Sequence, residues 1–351
     1  MARYRELDVA GAPRELGRQI GEALGDEIRE FCDVALDLVR KTVRISDAGV
    51  QQTIAAALRC AEQYAPDHVD ELRGISEAAR VPLESLMLLQ TRNQLQPDAD
   101  AGCTSISLGA NPALRTSGLV AQNWDNDPAL DRFTVVLTRR PAGKPALLNV
   151  TQAGLIAYIG FNAAGIGLCL NTLPAPARRV GVPHYFTVRG IFEATTLDEA
   201  VEAVRRAARA IPANIILVTR QGPANLEVTI DDVFELRDER ANRVTHANHC
   251  RHPALQAVGA RFPELIQSHE RQRRVDQLLD AVTGTPTLAD VREILRDHDG
   301  FPRSLCRHAN DDPATGFWQT VFSVIMEPDL RRLHLCRGNP CQHDYDVYEL
   351  T

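Results

Sequence analysis

The sequence has 351 residues, of which 44% are hydrophobic, 24% are charged and 5% are aromatic, and its formal net charge is −7. This is the composition of a globular protein with one large domain or two interlocked ones, and it lacks the basic clusters and aromatic platforms typical of nucleic-acid binding. No stretch approaches about 18 consecutive apolar residues, and no apolar signal-peptide core lies near the N-terminus, so we expect neither a membrane span nor secretion.

The first hundred residues are predicted to be helical. Apolar residues recur at helical spacing from Leu16 through Ile20, Leu24 and Ile28, and further helical patterns follow as far as residue 95. Residues 14–95 contain no convincing strand pattern.

After Gly102 the pattern changes to short strands separated by turn residues. Six strands are predicted in succession: CTSISLG, GLVAQNW, FTVVLTRR, ALLNVTQ, LIAYIGF and GIGLCLN. Two helices, three strands, a further helix around Val275 and three final strands follow. Runs of strands separated by runs of helices favour an α+β fold with two facing antiparallel sheets covered by helices.

The stretch DADAGCTSISLG, residues 98–109, places Cys103 at the first position of a predicted strand, directly after Gly102. A cysteine thiolate is a strong nucleophile when a base removes its proton. Cleavage of the preceding peptide bond would supply that base, because an α-amino group has a pKa of about 7.7–8.0. A buried cysteine in a strand is otherwise a small hydrophobic residue, and this stretch alone leaves both interpretations open.

Polar residues elsewhere could complete such a site. Asp125 and Gln122, in AQNWDND, could hold an amine, and the amide of Asn248, in THANHC, could donate to an oxyanion. Ser304 and Arg307, in FPRSLCRH, follow a helix, and an arginine can bind a carboxylate with two hydrogen bonds.

These residues lie in a series of blocks that resembles a known family. The blocks are GCTS, AQNWDND, GFNAAGIGLCLN, GVPHYFTVRGIFEA, LEVT, THANHC, SHERQRR and FPRSLCR. Their order and spacing are similar to those of the acyl-coenzyme A:6-aminopenicillanic acid acyltransferase (isopenicillin N acyltransferase) family of N-terminal-nucleophile hydrolases. The resemblance implies a four-layer αββα sandwich with a helical N-terminal segment. It also implies autocatalytic cleavage between Gly102 and Cys103, with the segments 1–102 and 103–351 remaining together.

The resemblance also implies roles for single residues. Cys103 would be the nucleophile and, through its freed amine, the base, and Asp125 would orient that amine with Gln122 beside it. Asn248 would donate to the oxyanion, with Asn171 as a second polar group near it.

Two further residues are assigned on the same basis. Arg307 would brace the nucleophile and Asp125, and Ser105 would assist cleavage.

The expected substrate is a small amide or an acyl thioester. A coenzyme A thioester would serve as acyl donor, and no bound cofactor is predicted. Arg271, Arg274 and Ser304 are candidate substrate contacts, although arginines in such a stretch more often lie on a solvated helix face. The expected partners are the substrate and the two fragments of the chain, with no nucleic acid or membrane, and the sequence leaves homo-oligomerisation open.

Two alternatives to this function remain. The first is an unprocessed cysteine hydrolase in which His246 or His249 is the base, and the second is a non-catalytic relative that binds a small amide.

The eight cysteines are scattered, which indicates reduced thiols and a cytoplasmic protein. Two sets of residues have types that zinc prefers, but neither contains a tight CxxC pair, so no metal site is predicted. The sets are His246, His249, Cys250 and His252, and Cys336, Cys341 and His343.

Overall fold

The computed structural model describes residues 1–42, 46–95, 102–111, 117–238, 242–313 and 315–351. The helices are α1 Pro13–Ala23, α2 Gly25–Thr42, α3 Asp47–Tyr64, α4 Pro66–Ala79, α5 Leu83–Leu95, α6 His184–Phe192, α7 Leu197–Arg205, α8 Pro253–Gly259, α9 Ser268–Ala281 and α10 Leu288–Leu295. The strands are β1 Glu6–Gly11, β2 Gly102–Leu108, β3 Leu119–Asn126, β4 Thr134–Pro141, β5 Leu147–Gln152, β6 Ile159–Asn162, β7 Gly167–Asn171, β8 Ala213–Thr219, β9 Gly222–Val228, β10 Val233–Leu236, β11 Arg243–His246, β12 Gln319–Glu327, β13 Arg332–Arg337 and β14 Asp346–Glu349.

The strands form two sheets that face each other. One has eight strands in the order β1-β4-β5-β6-β7-β8-β9-β10, and the other has six in the order β11-β2-β3-β12-β13-β14. Strands β2 and β3 contact β7 and β8 across the interface. The six strands predicted after Gly102 are therefore confirmed as β2–β7, but they divide between the sheets: β2 and β3 form a hairpin in one, and β4–β7 form a meander in the other.

Helices cover the outer faces of both sheets. The larger core joins apolar residues of α1–α7 to the eight-stranded sheet and to the space between the sheets. The smaller core packs α9 and α10, through Val275 and Leu295, against Ile106, Leu119 and Ile325 on the outer face of the six-stranded sheet. The predicted four-layer αββα arrangement is confirmed. Among the described residues, no helix combines the length and apolar character needed to cross a membrane.

The N-terminal segment is not purely helical. Strand β1 pairs in parallel with β4 and forms the edge of the eight-stranded sheet. Its sequence, ELDVAG, has only two large apolar side chains. The alternation of apolar and polar residues is therefore too short to predict a strand from the sequence. The segment 1–102 thus contributes a strand as well as helices to the sandwich.

A buried charge network joins the same segment to the rest of the chain. The carboxylate of Glu71, in α4, accepts from Arg139 Nε of β4 at 2.7 Å and lies 3.0 Å from Arg189 Nη1 of α6. All three side chains are at most 2% exposed. Buried charges are tolerated only when they are paired, so this network ties α4 to both elements.

Candidate active site

Cys103 is the second residue of β2, which lies between the edge strand β11 and β3 in the six-stranded sheet. It is 1% exposed, and in the β2–β3 ladder it lies opposite Trp124 while Gly102 lies opposite Asp125. The hairpin therefore places Asp125 beside the Gly102–Cys103 peptide bond, as the resemblance implies.

A cavity of about 590 Å³ reaches Cys103. Its walls are mostly apolar and aromatic, and they include Phe31 from α2, Trp124, Tyr158 and Phe262. Helices before Gly102 and loops after Cys103 both line it, so the two predicted segments share one cavity. The polar side chains in its wall are few: Arg92, Asn93, Asn126, Asn171, Thr172 and His184.

Three side chains hold the backbone of Cys103. Its N–H donates to Asn248 Oδ1 at 2.9 Å, and its carbonyl oxygen accepts from Arg271 Nη1 at 2.6 Å and Asn171 Nδ2 at 3.4 Å. Arg271 Nη2 also donates to Asn248 Oδ1 at 2.8 Å. The acceptor of Asn248 thus already faces the nitrogen that cleavage would convert to an amine, while its Nδ2 donates to Thr172 O at 3.1 Å.

Asp125 has one free carboxylate oxygen next to the predicted cleavage site. Its Oδ1 accepts from Thr320 Oγ1 at 2.7 Å, whereas Oδ2 has no hydrogen-bond partner among the described residues. A Cβ built on Gly102 would lie 3.5 Å from that oxygen. Burial raises the pKa of Asp125 to about 6, against the opposing effects of Arg271, Thr320 and Arg307.

The thiol of Cys103 is not self-activated. Burial, together with the nearby Asp125 carboxylate, raises its pKa well above the usual range, although Arg271 opposes the shift. At neutral pH the sulfur is therefore protonated, and a base within reach is needed to make it nucleophilic.

The other predicted polar residues form a second network that links the sheets. Ser105 Oγ donates to Asn171 Oδ1 at 2.8 Å, and Gln122 Nε2 donates to Ser105 Oγ at 2.9 Å and to Leu170 O at 2.6 Å. The hydrogen bonds of Gln122 thus run to Ser105 and β7 rather than to Asp125 or the Cys103 nitrogen. These contacts join Ser105 and Gln122 of the six-stranded sheet to Asn171 and Leu170 of β7 in the facing sheet.

Arg307 reaches Asp125 through Thr320. Its backbone N–H donates to Thr320 Oγ1 at 2.9 Å, and Thr320 in turn donates to Asp125. Its guanidinium donates to Gln267 Oε1 at 3.0 Å, and burial lowers its pKa despite the attraction of Asp125. The predicted bracing arginine is thus near the carboxylate.

Comparisons with known proteins agree with the motif blocks. A model of the acyl-coenzyme A:6-aminopenicillanic acid acyl-transferase family matches residues 114–342, which is about two thirds of the chain. The chain belongs to this family. The resemblance drawn from the sequence is confirmed, and this family member is an enzyme of the acyltransferase kind.

One similar relative is the 40 kDa form of acyl-coenzyme A:6-aminopenicillanic-acid-acyltransferase of Emericella nidulans, which is 27% identical over 95% of this chain and 92% of the relative. Among solved structures, the N-acylethanolamine-hydrolyzing acid amidase ortholog of Caenorhabditis elegans is 18% identical, with a TM-score of 0.47, over 71% of this chain and 100% of that one. Penicillin V acylase from Agrobacterium tumefaciens is 10% identical, with a TM-score of 0.48, over 71% of this chain and 86% of that one.

Two of the predicted substrate contacts in this acyltransferase-family chain lie away from the cavity. Arg274 pairs with Asp297 at 2.6 Å and with Asp299 at 3.4 Å, and Ser304 Oγ donates to the Cys306 carbonyl. Neither residue lines the cavity, because both side chains face the α9–α10 layer and its following loop. Arg271 does reach the site, but its N–H groups donate to oxygens of the protein, including Cys103 O and Asn248 Oδ1, rather than facing the cavity.

The histidines considered as bases are directed elsewhere. His246 Nε2 pairs with Glu227 at 2.8 Å and its Nδ1 contacts Ala247 O at 2.7 Å, while His249 Nδ1 contacts Ser268 Oγ at 2.8 Å. Burial lowers the pKa of His249 to about 3, with further effects from neighbouring histidines and Arg251. This arrangement gives no support to a histidine base.

The two residue sets considered for a metal do not assemble either. Within the described part of the chain, neither set forms a cluster of three or more possible ligand atoms. Such a cluster is formed instead by His298, Cys306, His308 and Cys341. Sequence reasoning missed that cluster, together with Thr320 and Arg92. The only signals were the position of Thr320 at the start of a strand and a lone arginine, Arg92, in a largely uncharged helix.

The raised pKa of Asp125 leads to a prediction about stability. Its ordinary value is 3.8, and folding raises it to about 6, so the folded protein binds the proton more tightly and loses stability as the pH rises from about 4 to about 6. Asp125→Asn should therefore unfold at the same or lower denaturant concentration at pH 4, yet be more stable by about 2–3 kcal/mol at pH 8.

The measurement is urea unfolding at both pH values in a Cys103→Ala background, so that no chain can be cut through the Cys103 thiol. The exposed Asp37→Asn is the control and should change stability by less than about 0.5 kcal/mol at either pH. If the stability difference between Asp125→Asn and its parent did not grow with pH, ionisation of Asp125 would not destabilise the folded protein.

Proposed function

We propose that this chain is a self-processing cysteine amidohydrolase or acyltransferase that works through an acyl-Cys103 intermediate after cleavage at Gly102–Cys103. The observation that carries the proposal is the surroundings of that bond. Cys103 lines the cavity, its N–H faces Asn248 Oδ1 at 2.9 Å, and the unpartnered Oδ2 of Asp125 lies beside Gly102.

Cleavage would begin with attack of the Cys103 sulfur on the Gly102 carbonyl carbon. The thiol proton is transferred to the Cys103 nitrogen as the C–N bond breaks, which leaves a thioester and a free amine. Water then hydrolyses the thioester to a Gly102 carboxylate and regenerates the thiol. Asp125 would relay the proton, since its unpartnered Oδ2 lies beside Gly102 and burial raises its pKa to about 6.

In the mature enzyme the freed amine would take the proton of the Cys103 thiol. The thiolate attacks an amide or thioester carbonyl, the leaving group takes the proton from the amine, and an acyl-enzyme forms. Water then completes hydrolysis, or an amine completes acyl transfer. The amide of Asn248 would stabilise the oxyanion once it leaves Thr172 O, and loss of such a donor costs about 2.7–4 kcal/mol of barrier.

The cavity suggests the substrate class. Apolar and aromatic walls favour an apolar acyl group. Arg92, from α5, adds a cationic side chain to the wall. Arg92 stacks near the rings of Phe31 and Tyr185 and has no carboxylate partner among the described ion pairs. We therefore expect a small amide or acyl thioester that carries an anionic group. An amino-acid-derived amide would supply a carboxylate, and a coenzyme A thioester would supply phosphates.

The test combines intact mass with substrate screening. Purified protein should give two fragments, residues 1–102 and 103–351, that remain together, and brief exposure to substrate should add the acyl mass to the second fragment at Cys103. Acyl-amides and acyl-thioesters are screened in pairs with and without an anionic group. An unbroken chain with full activity would overturn self-processing, and an inactive chain that binds amides would favour the non-catalytic alternative.

A further inference from the structure

Four side chains with metal-binding atoms meet outside the active-site cavity. They are His298, in the loop after α10, Cys306 and His308, in the segment before β12, and Cys341, between β13 and β14. The four ligand atoms all lie within 4.8 Å of one another.

Four of the six separations among these atoms are close to those of a tetrahedral site, and the other two, from His298 to the two sulfurs, are at most 4.8 Å. The two sulfurs are 3.5 Å apart, the two Nε2 atoms are 3.2 Å apart, and His308 Nε2 lies 3.7 Å from Cys306 Sγ and 3.5 Å from Cys341 Sγ. Tetrahedral zinc with Zn–S of about 2.3 Å and Zn–N of about 2.0–2.1 Å requires edges of about 3.8 Å for S···S, about 3.6 Å for S···N and about 3.4 Å for N···N. Each observed edge is within a few tenths of an ångström of its requirement.

The surroundings are those of a structural metal site. Cys306 is fully buried and accepts a contact from Asn339 Nδ2 at 3.5 Å, and the same nitrogen donates to Arg307 O at 2.7 Å. The ring of Phe301 packs against both imidazoles, with centroid separations of 5.9 Å to His298 and 5.2 Å to His308. Outer hydrogen bonds and apolar cover of this kind orient metal ligands.

We propose that His298, Cys306, His308 and Cys341 bind one zinc ion in a closed, four-ligand site. Binding would release the two thiol protons, and the two thiolates would neutralise the charge of the ion. Four protein ligands leave no open position for a substrate, so the ion has a structural rather than a catalytic role. This inference does not depend on the proposed function.

The site would fix one part of the active site. Arg307 lies between the two ligands Cys306 and His308, and its N–H bonds to Thr320, which bonds to Asp125. Because the residues on either side of Arg307 would both bind the ion, the position of Arg307 relative to the Asp125 carboxylate would be fixed.

The full-length protein, purified under reducing conditions, is tested for metal by elemental analysis. We expect about one zinc per chain, as for a closed Cys₂His₂ site. Replacement with cobalt should give the strong visible bands of tetrahedral Co²⁺ and a thiolate-to-cobalt charge-transfer band. Cys341→Ser and His298→Ala, at positions that are not fully buried, should each lower the affinity at least about 100-fold, because even losses in the outer shell cost about 10–100-fold.

Cys60→Ser is the matched control, since this partly buried cysteine lies in α3, far from the cluster in sequence and fold, and it should keep the wild-type zinc content. Folding of each variant is checked by its unfolding transition. A reduced wild type that binds neither zinc nor cobalt would overturn the proposal, as would ligand variants that bind metal as tightly as wild type. A Cys306–Cys341 disulfide in the purified protein, seen as the loss of two titratable thiols, would also overturn it.

Discussion

Cys103→Ala is expected to yield a single uncut chain with activity lowered at least about 10⁴-fold, the scale on which enzymes respond to loss of their nucleophile. The substitution removes the sulfur that would attack both the Gly102 carbonyl and the substrate. It leaves the backbone hydrogen bonds to Asn248 and Arg271 in place, so the fold should be retained. Intact mass measures cleavage, and turnover of the best amide or thioester measures activity.

Cys169→Ala is the matched control for this prediction. Cys169 is equally buried, in strand β7 of the facing sheet, but it does not line the cavity. Its loss should leave cleavage and turnover within a few-fold of wild type, apart from the stability cost of about 1 kcal/mol for a small cavity. If Cys103→Ala were still cut at residue 102, or still turned over substrate, Cys103 would not be the nucleophile.

Glu71→Ala is expected to have the largest effect on stability, about 3–5 kcal/mol, because it removes the counter-charge of the buried Arg139 guanidinium and leaves Arg189 with the more distant Glu193 carboxylate at 3.7 Å. Arg139 and Arg189 both direct nitrogens to the Glu71 carboxylate and have almost no exposure to solvent. Loss of the carboxylate should also loosen α4, so that the segment 1–102 separates more readily from a cleaved partner. Urea unfolding in the Cys103→Ala background measures the first effect, and size-exclusion chromatography of the cleaved protein measures the second.

Glu77→Ala, in the same helix, is the control. Glu77 pairs with Arg14 at 2.7 Å, but both side chains are more than 40% exposed, so this ion pair should contribute at most about 1 kcal/mol. Equal unfolding midpoints for Glu71→Ala and Glu77→Ala would contradict the assignment of Glu71 as a buried counter-charge.

Local patterns predicted the elements better than they predicted the sheets. Alternation and helical periodicity identified the strands after Gly102, the helices of residues 14–95 and the α+β class, because each depends on side chains a few residues apart. The division of β2–β7 between two sheets was not accessible, since a strand's partner is chosen by burial across the whole core. The strand β1 was missed for the same reason: it is recognisable only beside β4.

The candidate site shows the same division. The sequence by itself determined the family and the residue types around Cys103, because its motif blocks retain their order and spacing along the chain. Only the tertiary structure decided that Arg271 braces the Cys103 carbonyl, that Gln122 faces Ser105, and that Arg274 lies outside the cavity. It alone also brought Cys341 to Cys306, 35 residues away in sequence. Hydrogen bonds and metal ligation depend on distances of a few ångströms, and for residues this far apart those distances are set by the packing of sheets and loops rather than by spacing in the chain.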